Sequence, residues 1–146
     1  MSTSDTSIRE PKKHIRKTTA AYLAVTLLAV AVNFVYGIFG HGVHSGWMTW
    51  MFLYPLLGGL LFYNLISLAI PGVIRAPRYR VFFNIHNSGI AVLTTGSFLK
   101  GILHIAVTES AYTAWFDAAG WLLIIAGIAV LISTAIRLRK RLGPIV

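Results

Sequence analysis

The sequence predicts an all-α integral membrane protein: an up-down antiparallel bundle of four transmembrane helices with both termini in the cytoplasm. Three observations predict it. There are four long apolar runs, the links between them are short, and basic residues occupy only alternate links. Hydrophobic residues make up 56% of the 146 positions and charged residues 12%. Soluble domains carry roughly 25% charged residues. The chain lacks the charge to cover a water-facing surface, and lipid around most of it accounts for the deficit.

Residues 1–19 form a basic cytoplasmic tail. Its Ser/Thr-rich start is expected to be disordered, and Arg9, Lys12, Lys13, Arg16 and Lys17 are expected to lie along the membrane surface. The transmembrane domain covers 20–138, with helices at about 20–40, 47–70, 81–107 and 112–136. Each run reaches the roughly 20 residues a helix needs to cross hydrocarbon. Lipid offers the backbone no hydrogen bonds, so the runs should be helical. The first has a basic leader but runs too long for a secretory signal and shows no cleavage pattern, so it is read as an uncleaved helix. A second basic tail, 139–146, closes the chain.

Orientation follows from charge. Five basic residues precede the first run. Arg75, Arg78 and Arg80 sit between the second and third, and Arg137, Arg139, Lys140 and Arg141 end or follow the fourth. The links around positions 41–46 and 108–111 carry no Lys or Arg. Positive charge marks the cytoplasmic side, here of a plasma (inner) membrane. Trp47, Trp50, Tyr112 and Trp115 then fall at the outer headgroups. The net charge of +9 reports topology and not nucleic acid. The bilayer, and other copies or other membrane subunits, are the expected partners.

Several classes drop out. No cysteine is present, which removes disulfides, thiolate metal sites and iron–sulfur clusters. No Gly-rich phosphate loop, Ser-His-acid set or HExxH motif occurs. No carboxylate lies at the middle of any run, unlike an exporter built on a central acid.

Polar groups inside apolar helices carry the functional argument, because each is costly there. On the third helix His86, Leu93, Ser97, Lys100 and His104 share one stripe at helical spacing, expected to face the bundle. His86 and His104 stand five turns apart, about 27 Å along the axis. On the first helix Asn33, Gly37, Gly40 and His44 form a matching stripe, whose small residues admit a close neighbour or a flat ring. Two histidines, His44 or His41 with His104, could ligate a b-type haem axially at the outer side. Gly37 and Gly40 would leave room for the ring. Lys100 and Asn33 would meet a propionate or a quinone carbonyl. Alternatively His41, His44 and His104, with Glu109, offer ligands for zinc or copper. Otherwise these histidines are interfacial residues bonded to carbonyls, water or headgroups.

At the cytoplasmic side Asn84, His86 and Asn87 form a second polar group. It would bind a headgroup, a quinone or a partner's loop, or serve as ordinary interhelical hydrogen bonding. Asp117 matches Lys100 in depth, so the two are expected to pair, as a lock or as part of an anion or proton path. Asn64 with Tyr63, and the pair Gly58 and Gly59 near Pro55, read first as close packing and a mild kink.

Four helices, short loops and histidines at His41, His44, His86 and His104 resemble small b-type cytochrome membrane subunits. That resemblance is architectural and shares no motif. It departs from the two-haem plan, in which facing helices each supply two histidines. It implies an electron-transfer subunit with haem or quinone as cofactor. A carrier of small solutes or lipid, an accessory subunit of a transport complex, and a bundle without ligand are the competing expectations.

Overall fold

In a computed structural model, residues 4–39 and 44–141 are described. All regular structure among them is helical. Helix α1 runs Ser4–Phe39. The second span, Gly46–Ala69, comprises α2 (Gly46–Trp50), a π-helical stretch (Tyr54–Leu61) and α3 (Phe62–Ala69). A 3₁₀ turn, Pro71–Arg75, leads to α4 (Tyr79–Ile105), and α5 covers Thr113–Arg141. Four helices are long and apolar enough to cross a membrane.

The first helix departs from expectation by starting at Ser4, inside the segment read as a disordered tail. Extending an existing helix costs far less than nucleating one, so the apolar run propagates backwards into the basic segment.

Contacts between helices fix an antiparallel order. Thr19 and Asn33 of α1 meet Asn64 and Thr49 of the second span, in reversed sequence order. Trp47 and Gly58 meet Ser97 and His86 of α4 in the same reversed way. Along α4 and α5, Lys100 meets Asp117 while His86 meets Gly127. Two buried clusters fill the interior. One joins Tyr63, Ile66, Val73, Tyr79, Phe82 and Leu131 at the basic end, and the other joins Ala29, Met48 and Met51 at the far end.

Pro55 explains the irregular second span. It has no N–H to give, and it stands in the first turn of the π-helical stretch. In a regular α-helix the Phe62 amide would bond to the Gly58 carbonyl. Here it bonds to Gly59 and Leu57 and passes over Gly58. Such widened turns recur at functional sites.

Helix α4 ends in a paired-bond cap. Val107 N–H donates to His104 O and Thr108 N–H to Leu103 O. Val107 takes the left-handed conformation (φ 51°) that glycine usually fills there. This turn sets the connection beside His104.

Candidate functional site

Three polar constellations occupy the bundle. The first is at the far end. Lys100 forms an ion pair with Asp117, and its ammonium lies 4.5 Å from the centre of the Trp47 ring. A cation above an indole face gains from the ring quadrupole. The two charged side chains are 14% and 38% exposed, which makes Lys100 the more enclosed partner. Ser97 donates to Trp47 O at 2.6 Å and so holds α2 against α4. A cavity of about 370 Å³ opens here, lined by Trp47, Lys100, His104 and Glu109 among others.

The outer-side expectations divide on this geometry. Lys100 and His104 come together, and the Lys100–Asp117 pair forms as the sequence anticipates. His104 itself faces outward, unlike His86, Leu93 and Ser97 of the same stripe, because α4 ends just beyond it and leaves nothing to cover the ring. Asn33 accepts a bond from Thr49 at 3.4 Å. His44 folds back on α1: a Cβ at Gly37 would lie 3.2 Å from its Cε1. The space left by Gly37 thus holds this imidazole. Gly40 and His41 lie outside the described residues. Among the described residues no three His, Cys, Asp or Glu gather as a metal site needs.

The second constellation ties three helices together at Asn87. Tyr22 of α1 and Tyr63 of α3 both donate to Asn87 Oδ1, at 2.6 and 2.5 Å. Tyr22 lies flat against Gly59, where a Cβ would run into its ring. Asn84 faces outward and takes no part, so the expected trio Asn84, His86 and Asn87 does not converge. Asn87→Leu is expected to orphan both phenols and lower stability by about 1 kcal/mol, since interhelical hydrogen bonds in membranes average ~0.6 kcal/mol each. Chemical unfolding in mixed micelles checks it. Tyr22→Phe should cost less, because Tyr63 keeps its acceptor.

The third constellation centres on His86, which is 2% exposed. Its ring stacks on Phe62 (centroids 4.6 Å apart, planes at 24°) and is flanked by Tyr63 and Phe82. Nε2 lies 2.9 Å from the Gly58 carbonyl, the one the Phe62 amide passes over. A carbonyl only accepts, so Nε2 carries the proton. In the neutral ring Nδ1 is then a bare acceptor, and it is buried without a hydrogen-bond partner. Buried polar atoms nearly always have one, so this nitrogen asks for a donor.

His86 also lines a groove of about 450 Å³, with Trp50, Tyr54, Phe62, Leu93 and Trp121 among its walls. Its size and largely apolar walls suit a ring-headed, apolar-tailed molecule. Sequence reasoning found His86 and Asn87 and singled out Tyr63 as packing, but missed Tyr22, Trp121 and the Gly58 carbonyl. Pro55 with Gly58 and Gly59 was the available signal for the last of these.

The fold and these sites define a class: a helical bundle with four helices long and apolar enough to cross a membrane, and polar sites set between them. Comparison with protein-family models, curated proteins and solved structures found no match to this chain.

Proposed function

We propose that the chain is a multi-pass plasma-membrane protein, with both termini cytoplasmic, that binds a quinone in the groove at His86 and serves as a small electron-transfer subunit. The observation that carries this reading is the bare, buried Nδ1 of His86 beside an otherwise apolar groove. A quinone supplies reversible two-electron, two-proton chemistry when bound. His86 would accept a hydrogen bond from the hydroxyl of the reduced form, and the Gly58 carbonyl would hold the tautomer that allows it. Phe62 and Trp121 would flank the ring, and the apolar walls would exclude water. Outward-facing Leu27, Leu28, Phe34 and Ile38 on α1 suit lipid or a neighbouring subunit. The quinone reading draws more support than axial haem, because the Gly37 space is taken by His44 and Lys100 is engaged with Asp117.

Titrating a short-chain quinol, kept reduced under anaerobic conditions, into the purified protein tests the proposal, with quenching of Trp50 and Trp121 as the readout. His86→Phe should weaken binding roughly tenfold, the value of one hydrogen bond of ~1.4 kcal/mol. Equal affinity in the variant would sink the assignment. A Soret band in the same sample would restore the haem reading.

The Lys100–Asp117 pair beside its cavity supports a second reading, a carrier for a small solute or an accessory subunit of a transport complex.

A further inference from the structure

The basic end carries a cavity that neither reading uses. It measures about 420 Å³ and lies between the 3₁₀ turn, the start of α4 and the last turns of α5. Arg75, Arg78 and Arg137 line it, with Thr134 and Leu138 on the α5 wall. The arginines come from separate elements, 59 to 62 positions apart in sequence between the turn region and α5. The turn is not loosely placed. Val73 is fully buried in the core cluster, and Gly72 lies so close to α5 that a Cβ there would sit 3.3 Å from Leu138 Cδ2.

Three guanidinium groups around one cavity repel one another unless an anion joins them. Among the described residues the one ion pair is Lys100–Asp117 at the opposite end, so no described carboxylate balances these arginines. Guanidinium forks match phosphate oxygens in bidentate geometry. The depth is also informative. Arg137 follows immediately on the apolar run ending at Ile136, and Arg75 and Arg78 lie in the link just before the apolar run that starts at about position 81. In a membrane this boundary lies at the phosphates of the lipid headgroups. Basic pockets between helices on the cytoplasmic side are where anionic headgroups bind.

We propose that this cavity is a binding site for a phosphate-bearing anion, and that its occupant is the headgroup of an anionic phospholipid. Arg75, Arg78 and Arg137 hold the phosphate, while Pro77 and Leu138 face the glycerol and the first carbons of the chains. The site rests on the membrane placement proposed above but not on quinone binding.

Native mass spectrometry of the full-length protein released from detergent tests it, with phosphatidylglycerol, diphosphatidylglycerol, phosphatidylcholine and inorganic phosphate added in separate arms. Wild type should retain an anionic phospholipid at least tenfold more strongly than phosphatidylcholine. The triple variant R75Q/R78Q/R137Q should lose that preference. R139Q/K140Q, which removes two charges outside the cavity, should keep it, and an unchanged elution profile for each variant establishes that it folds. The proposal is overturned if the triple variant retains the anionic lipid as wild type does. It is also overturned if R139Q/K140Q loses it equally, which would mean diffuse surface charge, or if inorganic phosphate binds while the lipid does not. The quinol titration keeps the two readings separate: lipid retention without quinol binding removes only the groove assignment, and the reverse result removes only this site.

Discussion

Gly89→Val is expected to leave little folded protein in detergent. A Cβ at Gly89 would lie 2.7 Å from Ile124 Cγ1, and 3.0 Å from both the Gly120 carbonyl oxygen and the Ile124 amide nitrogen. Two of these three neighbours are backbone, so no side-chain rotation relieves the clash. Helices in lipid associate through close packing more than through water exclusion, and small residues are what bring their backbones together. Overpacking a tight interior costs about 1–3 kcal/mol even where side chains can yield, and a backbone clash should lie at or beyond the upper end. Gly96 and Gly120 are equally close to Phe116 and Leu93, so the whole α4–α5 seam depends on missing side chains. Gly46→Ala is the control, because a Cβ there meets nothing within 4 Å. Thermal unfolding followed by size-exclusion chromatography reads both. A Gly89→Val protein as stable as wild type would mean that α4 and α5 do not pack along this seam.

Lys100→Met comes second in expected effect. It leaves Asp117 without its cation between apolar helices and removes the contact over Trp47. Breaking a fully buried pair costs 3–5 kcal/mol, most of it the stranded charge. Asp117 is 38% exposed and can draw on water or headgroups, so about 1–3 kcal/mol is expected here. Asp117→Asn strands the more enclosed Lys100 and should cost a similar amount. The double variant should recover part of either loss, because no lone charge remains. Equal stability for the single and double variants would show that the pair adds nothing to folding. The same proteins in vesicles separate a lock from a solute site. A double variant that regains stability but not uptake supports the carrier reading, and one that regains both leaves Lys100 structural.

The two halves of the candidate chemistry differed in how far the sequence could take them. Lys100 and Asp117 were legible as a pair because each stands on a helix of countable length, so their depths could be compared. His86 was legible as a buried polar residue for the same reason. What it bonds to was not. Its partner is a main-chain carbonyl on a different span, inside a π-helical stretch. The Asn87 knot was hidden in another way. Tyr22 and Asn87 are 65 positions apart, and a tyrosine on an apolar helix reads the same whether it meets lipid, headgroups or an asparagine. Gly37 and His44 misled for a converse reason: a small residue reports that something approaches, without saying what.

By itself the sequence determined the number of long apolar helices, their short connections and the end at which the positive charge collects. Those features follow from hydropathy and helix rise, which act along the chain and need no partner. Tertiary structure alone decided which groove His86 lines, which carbonyl fixes its proton, and that Arg75, Arg78 and Arg137 share one cavity. Each of these depends on the rotation and register of one helix against another. Side chains at the seam set that register through contacts of a few ångströms, and hydrophobic patterning, which is nearly the same on every face of these helices, does not encode it.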